Sequence, residues 1–119
     1  MDEFTQLQIK DTLKLIESSI VSCEKVQPKL QEGSASLTIS KNRIKALSIA
    51  KDLLMNKETP YSKEELEKAA IQITSIKNKS TTGINHATEG TPTFTRFLRI
   101  ITAMNIVIQY LQCAIQKQQ

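Results

Sequence analysis

The chain has 119 residues, of which 39% are hydrophobic and 24% are charged, and its formal net charge is +4. These values argue against a disordered chain and leave room for one domain, residues 1–119, with a single core. Only three glycines and three prolines are present, and so few turn formers favour long helices over many short strands.

The first predicted helix covers about residues 5–31. It opens on Thr5-x-x-Gln8, the spacing of a capping box, in which the cap hydroxyl and the glutamine side chain each bind a backbone N–H of the other residue. Pro28 cannot donate to the carbonyl of Glu24, so a kink or an early end is expected there. Apolar residues recur at steps of four and three along one face, namely Ile9, Leu13, Ile16, Ile20 and Cys23.

The second predicted helix covers about residues 35–56 and follows a tight turn. Gly33 suits the left-handed conformation that closes a helix, and Ser34 suits the next N-cap. We therefore expect a positive φ at Gly33 and a helical hairpin over residues 4–57.

The remaining sequence repeats this pattern at an offset of 57 residues. Ser62-x-x-Glu65 is a second capping box, Gly90 falls on Gly33, and Thr91 falls on Ser34. A positive φ is therefore expected at Gly90 as well. The third and fourth helices are predicted at about residues 62–88 and 92–117, within a second copy over residues 61–117. Gly83 is expected to weaken the third helix where Pro28 weakens the first.

Two hairpins stacked face to face bury apolar stripes that neither hairpin can bury alone. The predicted fold is therefore all-α: an up-down-up-down four-helix bundle of two tandem helical hairpins.

The first repeat carries the string Cys23-Glu24-Lys25-Val26-Gln27-Pro28-Lys29-Leu30-Gln31-Glu32-Gly33, followed by Lys41-Asn42-Arg43-Ile44-Lys45-Ala46-Leu47. This pattern resembles an uncharacterised family of small bacterial helical-hairpin repeat proteins. The second copy keeps the opening Tyr61-Ser62-Lys63-Glu64-Glu65-Leu66 and departs from the later part. The resemblance implies a helical hairpin and no particular activity.

Residues suited to catalysis or metal binding are scarce. His86 is the sole histidine, and a solvated position near a turn is the expected one. Cys23 and Cys113 fit neither a metal spacing nor a CxxC motif and are expected to be buried, unpaired thiols. The sequence thus predicts no enzyme, no cofactor and no metal site.

Basic residues concentrate near the two predicted turns, where nine of them face three acidic residues. The excess charge is consistent with solvated helix faces or with a patch for an anionic partner. The candidate patch contains Lys41, Arg43, Lys45, Lys77, Lys79, Arg96 and Arg99.

Apolar residues extend around more of the fourth helix than one bundle interior can use. Such a surplus predicts a protein interface, for example in a homodimer, unless the helix sinks more deeply between its neighbours. The candidate interface residues are Ile100, Met104, Val107, Ile108 and Leu111.

The sequence favours a cytoplasmic, non-enzymatic protein–protein interaction or regulatory bundle. The chain begins Met1-Asp2-Glu3-Phe4 without the basic start of a signal peptide. The apolar stretch from Phe97 to Ile115 contains Arg99 and Asn105 and is expected to be too polar for a membrane span. The alternative is a nucleic-acid-associated protein using the basic patch, although few aromatic residues are near it to stack on bases.

Overall fold

The computed structural model describes residues 4–57 and 61–118. The predicted all-α fold is confirmed: within these residues, four α-helices in two tandem hairpins form an up-down-up-down bundle. The first helix ends at Val26, the early end that Pro28 predicts, and a 3₁₀ turn over Gln27–Lys29 follows it. The helices are α1 (Gln6–Val26), α2 (Ala35–Leu54), α3 (Lys63–Asn85) and α4 (Pro92–Lys117).

Each helix begins at a hydroxyl side chain that accepts a hydrogen bond from a backbone N–H in the first turn. Both predicted capping boxes are present. The carboxylate of Glu65 accepts from the backbone N–H of Ser62 at 3.2 Å and also faces Lys45, and these contacts lower the pKa of Glu65. Corresponding caps and helix starts are 57 residues apart, so the repeat is visible in the backbone. The caps are Thr5, Ser34, Ser62 and Thr91.

The two hairpins use the same four-residue turn. The N–H of Ser34 donates to the carbonyl of Gln31, and the N–H of Thr91 donates to that of Thr88. The third turn residues, Gly33 and Gly90, have φ of +78° and +88°, so their predicted positive φ is confirmed. Their predicted place is wrong, because each glycine lies in a β-turn several residues beyond the end of its helix.

The end of α2 is closed by a residue that the sequence analysis missed. Asn56 has a φ of +54°. Its N–H donates to the carbonyl of Leu53, and the N–H of Lys57 donates to that of Asp52, which is the Schellman arrangement. The hydroxyl of Tyr61 donates to Asp52 Oδ2 at 2.7 Å and so ties the start of the second hairpin to the end of the first.

The core lies toward the half of the bundle that contains the α1 start and the α4 end. Buried side chains occupy the second half of α2 and of α4 but little of the region near the first turn. Gly83 on α3 lets α4 approach closely: a Cβ placed on this glycine would lie 2.5–2.8 Å from three ring atoms of Phe97. The largest buried side chains include Ile16, Leu47, Ile49, Leu66, Ile73, Met104, Val107 and Leu111.

The four described helices are not all parallel to one bundle axis. The Cα trace measures 41 × 39 × 20 Å, although four parallel helices with axes about 10 Å apart would be narrow in both cross-sectional directions. Helix α4 packs along α3 and also reaches α2 across the bundle, while its contact with α1 is the smallest between the α-helices that touch. The α1–α4 side is therefore the open side of the bundle.

Candidate anion-binding cleft

A cleft of about 1130 Å³ lies on this open side, between α1 and α4. Its α1 wall extends from Asp11 to Cys23 and its α4 wall from Pro92 to Ile100, and α2 and α3 contribute to its base. On both walls the lining residues recur at steps of three or four, so each wall is one face of a helix.

Short side chains on α1 keep the cleft open. Four of the α1 lining residues have side chains of only two heavy atoms, and such residues fill less of the space toward α4 than leucine or isoleucine would. They are Ser18, Ser19, Ser22 and Cys23.

Apolar side chains form the base of the cleft. The four are Leu15, Leu47, Ile76 and Ile100. Leu47 is fully buried, and the other three remain partly accessible at the edge of the core.

Four basic residues and one carboxylate line the same cleft: Lys14, Arg43, Arg96 and Arg99, with Asp11. The ion pairs of the described residues join other side chains, namely Lys45 with Glu65, Lys51 with Glu17 and Lys68 with Glu64. Within residues 4–57 and 61–118, the four cleft cations are therefore unpaired, and together they make the cleft electropositive.

Arg43 is the most unusual of the four. Its Nε is buried and has no hydrogen-bond partner among the described residues. A buried donor without a partner costs about 1–3 kcal/mol, so folding alone does not account for an arginine here. An anion bound in the cleft would supply the missing acceptor.

The start of α4 adds a further positive element. Gly90, Pro92 and Thr95 line the cleft, so the N-terminal end of α4, where the helix dipole is positive, faces the same space as the arginines. The cleft as a whole is suited to hold negatively charged groups, with apolar surface beneath them.

The structure brings together three of the seven predicted patch residues: Arg43, Arg96 and Arg99. The other four lie elsewhere. Lys45 is in the α2–α3 groove, paired with Glu65, and Lys41 is at the first turn near Glu24 and Glu32. Lys77 is half-buried on α3, and Lys79 lies on the α3 surface away from the cleft. The predicted single patch is thus divided among several surfaces.

The expected interface on α4 is largely inside the chain. Met104, Val107 and Leu111 are at most 1% exposed, and Ile100 and Ile108 are half-buried against the core. The expectation that these side chains lie exposed on a monomer is wrong, because they belong to the hydrophobic core or pack against it. This is the deeper placement that the sequence left as the alternative.

Several residues of the α1 wall were missed as site candidates, among them Asp11, Lys14 and Ser18. Their steps of three and four form a polar stripe beside the apolar seam of α1, which is the signal that the sequence offered. Which neighbour this stripe faces depends on the packing of α4 and could not be read from α1 alone.

The other chemical candidates lie apart from one another. His86 caps the C-terminal end of α3 and is exposed. Cys23 lines the cleft and Cys113 a pocket near Phe4 and Tyr61; both thiols are free and only half-buried, so the expected burial is wrong. Among the described residues, no three of the His, Cys, Asp and Glu side chains are grouped as a metal site requires.

Helix α4 also has the length and composition of a membrane span, the one such helix in the described chain. The expectation that its polar residues exclude this is therefore not upheld. Core helices of soluble proteins meet the same criterion, and α4 contributes five residues to the buried core: Ala103, Met104, Ile106, Val107 and Leu111.

No protein-family model, no curated protein and no solved structure was found to match this chain.

Proposed function

We propose that this protein is a non-enzymatic, cytoplasmic interaction module that binds a protein partner through the cleft between α1 and α4. The observation that carries the proposal is the set of cleft cations, Lys14, Arg43, Arg96 and Arg99, which have no carboxylate partner among the described residues. Clustered like charges destabilise a fold, so their grouping in one concave surface favours a role in binding.

A binding role fits this cleft better than catalysis does. Serine and cysteine nucleophiles need an adjacent base to activate them, and histidine is the usual one. His86 caps the end of α3 and is not among the residues that line the cleft. The arginines are suited instead to hold carboxylate or phosphate groups in a fixed geometry.

A second copy of the chain is the alternative protein partner. The α4 side chains first expected to form a dimer interface are mostly buried, so a homodimer would have to use the cleft or another surface. Sedimentation across a concentration series distinguishes a self-associating protein from a monomer that binds a different partner.

Affinity capture with cross-linking tests the proposal. Wild-type protein is compared with the double variant R96Q/R99Q, which removes two cleft cations, and with K10Q/K79Q, which removes the same charge from exposed positions outside the cleft. We expect wild type and K10Q/K79Q to retain the same protein partner, cross-linked to α1 or α4, and R96Q/R99Q to lose it. Absence of a partner on wild type, or equal capture by all three proteins, would contradict the proposal.

Nucleic-acid binding is the second candidate, favoured by the convergence of Arg43, Arg96 and Arg99 on one cleft. Phosphates of a nucleic-acid backbone would pair with these guanidinium groups, with a strong dependence on salt. The described lining contains no aromatic side chain on which bases could stack. An oligonucleotide that binds wild type tightly, in a salt-dependent way and without a protein partner, would place this function first.

A further inference from the structure

The cleft presents two surfaces of different chemistry to one ligand: an apolar base and a basic wall. We propose that it binds an acidic amphipathic helix of a partner protein, whose aliphatic side chains cover the base while its carboxylates meet the arginines. This inference rests on the proposed function and specifies the chemistry of the partner.

The apolar base distinguishes a peptide from other anions. Leu15, Ile76 and Ile100 are only partly covered within the chain, and covering them with aliphatic groups is favourable because apolar surface leaves water. A nucleic-acid backbone or inorganic phosphate has no aliphatic group for this surface. A peptide that carries leucine beside glutamate supplies both groups.

The basic wall matches the spacing of a helix. Arg96 and Arg99 are three residues apart on α4 and line the same side of the cleft, so their Cβ atoms are about 5–6 Å apart. Carboxylates three or four residues apart on a second helix have the same spacing. Guanidinium groups bind carboxylates with two parallel hydrogen bonds, which fixes orientation as well as adding affinity.

The length of the cleft fits about three helical turns. Its α1 wall extends from Asp11 to Cys23, which corresponds to roughly 18 Å at 1.5 Å per residue. Asp11 is the one carboxylate in the described lining, at the end farthest along α1 from Cys23. It repels a carboxylate there and favours a neutral or basic residue of the partner, so it gives the bound helix a preferred direction.

Fluorescence anisotropy with synthetic probes tests the chemistry. The main probe is a labelled peptide of about 15 residues, built from leucine, glutamate and alanine so that leucine and glutamate occupy adjacent faces of a helix. One control peptide has the same composition in an order that mixes these faces, and a second probe is a single-stranded DNA of about 20 nucleotides. Each is titrated with wild type, R96Q/R99Q and K10Q/K79Q, whose folding is verified by circular dichroism.

We expect the segregated peptide to bind wild type more tightly than the mixed peptide or the DNA. R96Q/R99Q should weaken that binding by roughly tenfold or more, because two charge-assisted contacts are lost. K10Q/K79Q should change it by less than about twofold, because exposed charges outside the site contribute little.

Four results would overturn the inference: failure of the segregated peptide to bind wild type, equal affinity for the two peptides, tighter binding of the DNA, or unchanged peptide affinity in R96Q/R99Q. These outcomes differ from failure of the proposed function, which is the absence of any captured protein partner. A captured partner whose cross-linked segment is basic would refute the acidic helix and leave the interaction module in place.

Discussion

Replacing Arg43 with methionine tests whether this arginine serves binding rather than folding. Methionine keeps an unbranched stem and removes the guanidinium, including the buried Nε that has no partner among the described residues. An unsatisfied buried donor costs about 1–3 kcal/mol. Because some of the guanidinium still reaches solvent, we expect Arg43→Met to raise the free energy of unfolding by about 1 kcal/mol, at the lower end of that range.

Urea denaturation measured by circular dichroism gives the free energy of unfolding, and Lys41→Met is the matched control. Lys41 is on the same helix and is exposed, so its replacement should change stability by less than about 0.5 kcal/mol. A gain of similar size in both variants would mean that methionine stabilises α2 in general. The gain at Arg43 would then not come from its unpartnered Nε.

The same variant should lose affinity for the segregated acidic peptide while it gains stability. Opposite changes in the two measurements are the pattern expected of a residue kept for function at some expense of the fold. If Arg43→Met destabilised the protein by about 1 kcal/mol or more, the guanidinium would be supporting the fold, and the reasoning from its unpartnered Nε would be refuted. Greater stability with unchanged peptide affinity would remove Arg43 from the binding site.

Three further predictions concern the fold. Gly83→Ala should destabilise the protein by about 1 kcal/mol in denaturant melts, because crowding against Phe97 outweighs the gain in helix propensity. In a Phe97→Ala background the same substitution should be stabilising, and stabilisation in both backgrounds would contradict the close packing. Gly33→Ala and Gly90→Ala should each lower the free energy of unfolding by about 1 kcal/mol in thermal or denaturant melts, because φ is positive at both positions. A Cβ there would meet nothing within 4 Å, so the cost is backbone strain alone, and neutral effects would refute this strain. The hydrogen bond to the carboxylate of Asp52 raises the pKa of Tyr61 from 10.0 to about 12. The contribution of this bond to the free energy of unfolding is therefore present below pH 10 and lost as the pH rises toward 12. The stability curves of wild type and Tyr61→Phe should converge over that interval, and parallel curves would exclude a stabilising role of this bond.

The local features of the fold could be predicted because they depend on neighbours in sequence. The capping boxes at Thr5 and Ser62 need only residues three positions apart, and the end of α1 near Pro28 follows from a missing N–H. The glycine conformations follow from the same local logic. The cap at Asn56 was missed because asparagine adopts a positive φ far less regularly than glycine, and the sequence offers no stronger sign.

The candidate site depends on contacts between helices and could be predicted only in part. Arg43, Arg96 and Arg99 were selected for their charge and nearness to the turns, and the structure places these three around one cleft. The four lysines of the same predicted patch have equal charge but occupy other surfaces. Position along a bundle can be read from a sequence of helices, whereas rotation of each helix about its own axis depends on how all four pack.

The packing of α4 links the buried apolar surplus to the open cleft. Gly83 lets α4 lie close to α3, with the ring of Phe97 against the glycine. In that position the core of the chain takes up α4 side chains that the sequence assigned to a second protein, while the contact of α4 with α1 is left small. The α1 wall, with its serines and Cys23, then faces a space that the chain itself does not fill. Close α3–α4 packing thus accounts both for the burial of the predicted α4 interface and for the opening of the arginine cleft. The surface available to a partner is the beginning of α4, whereas the sequence predicted its middle.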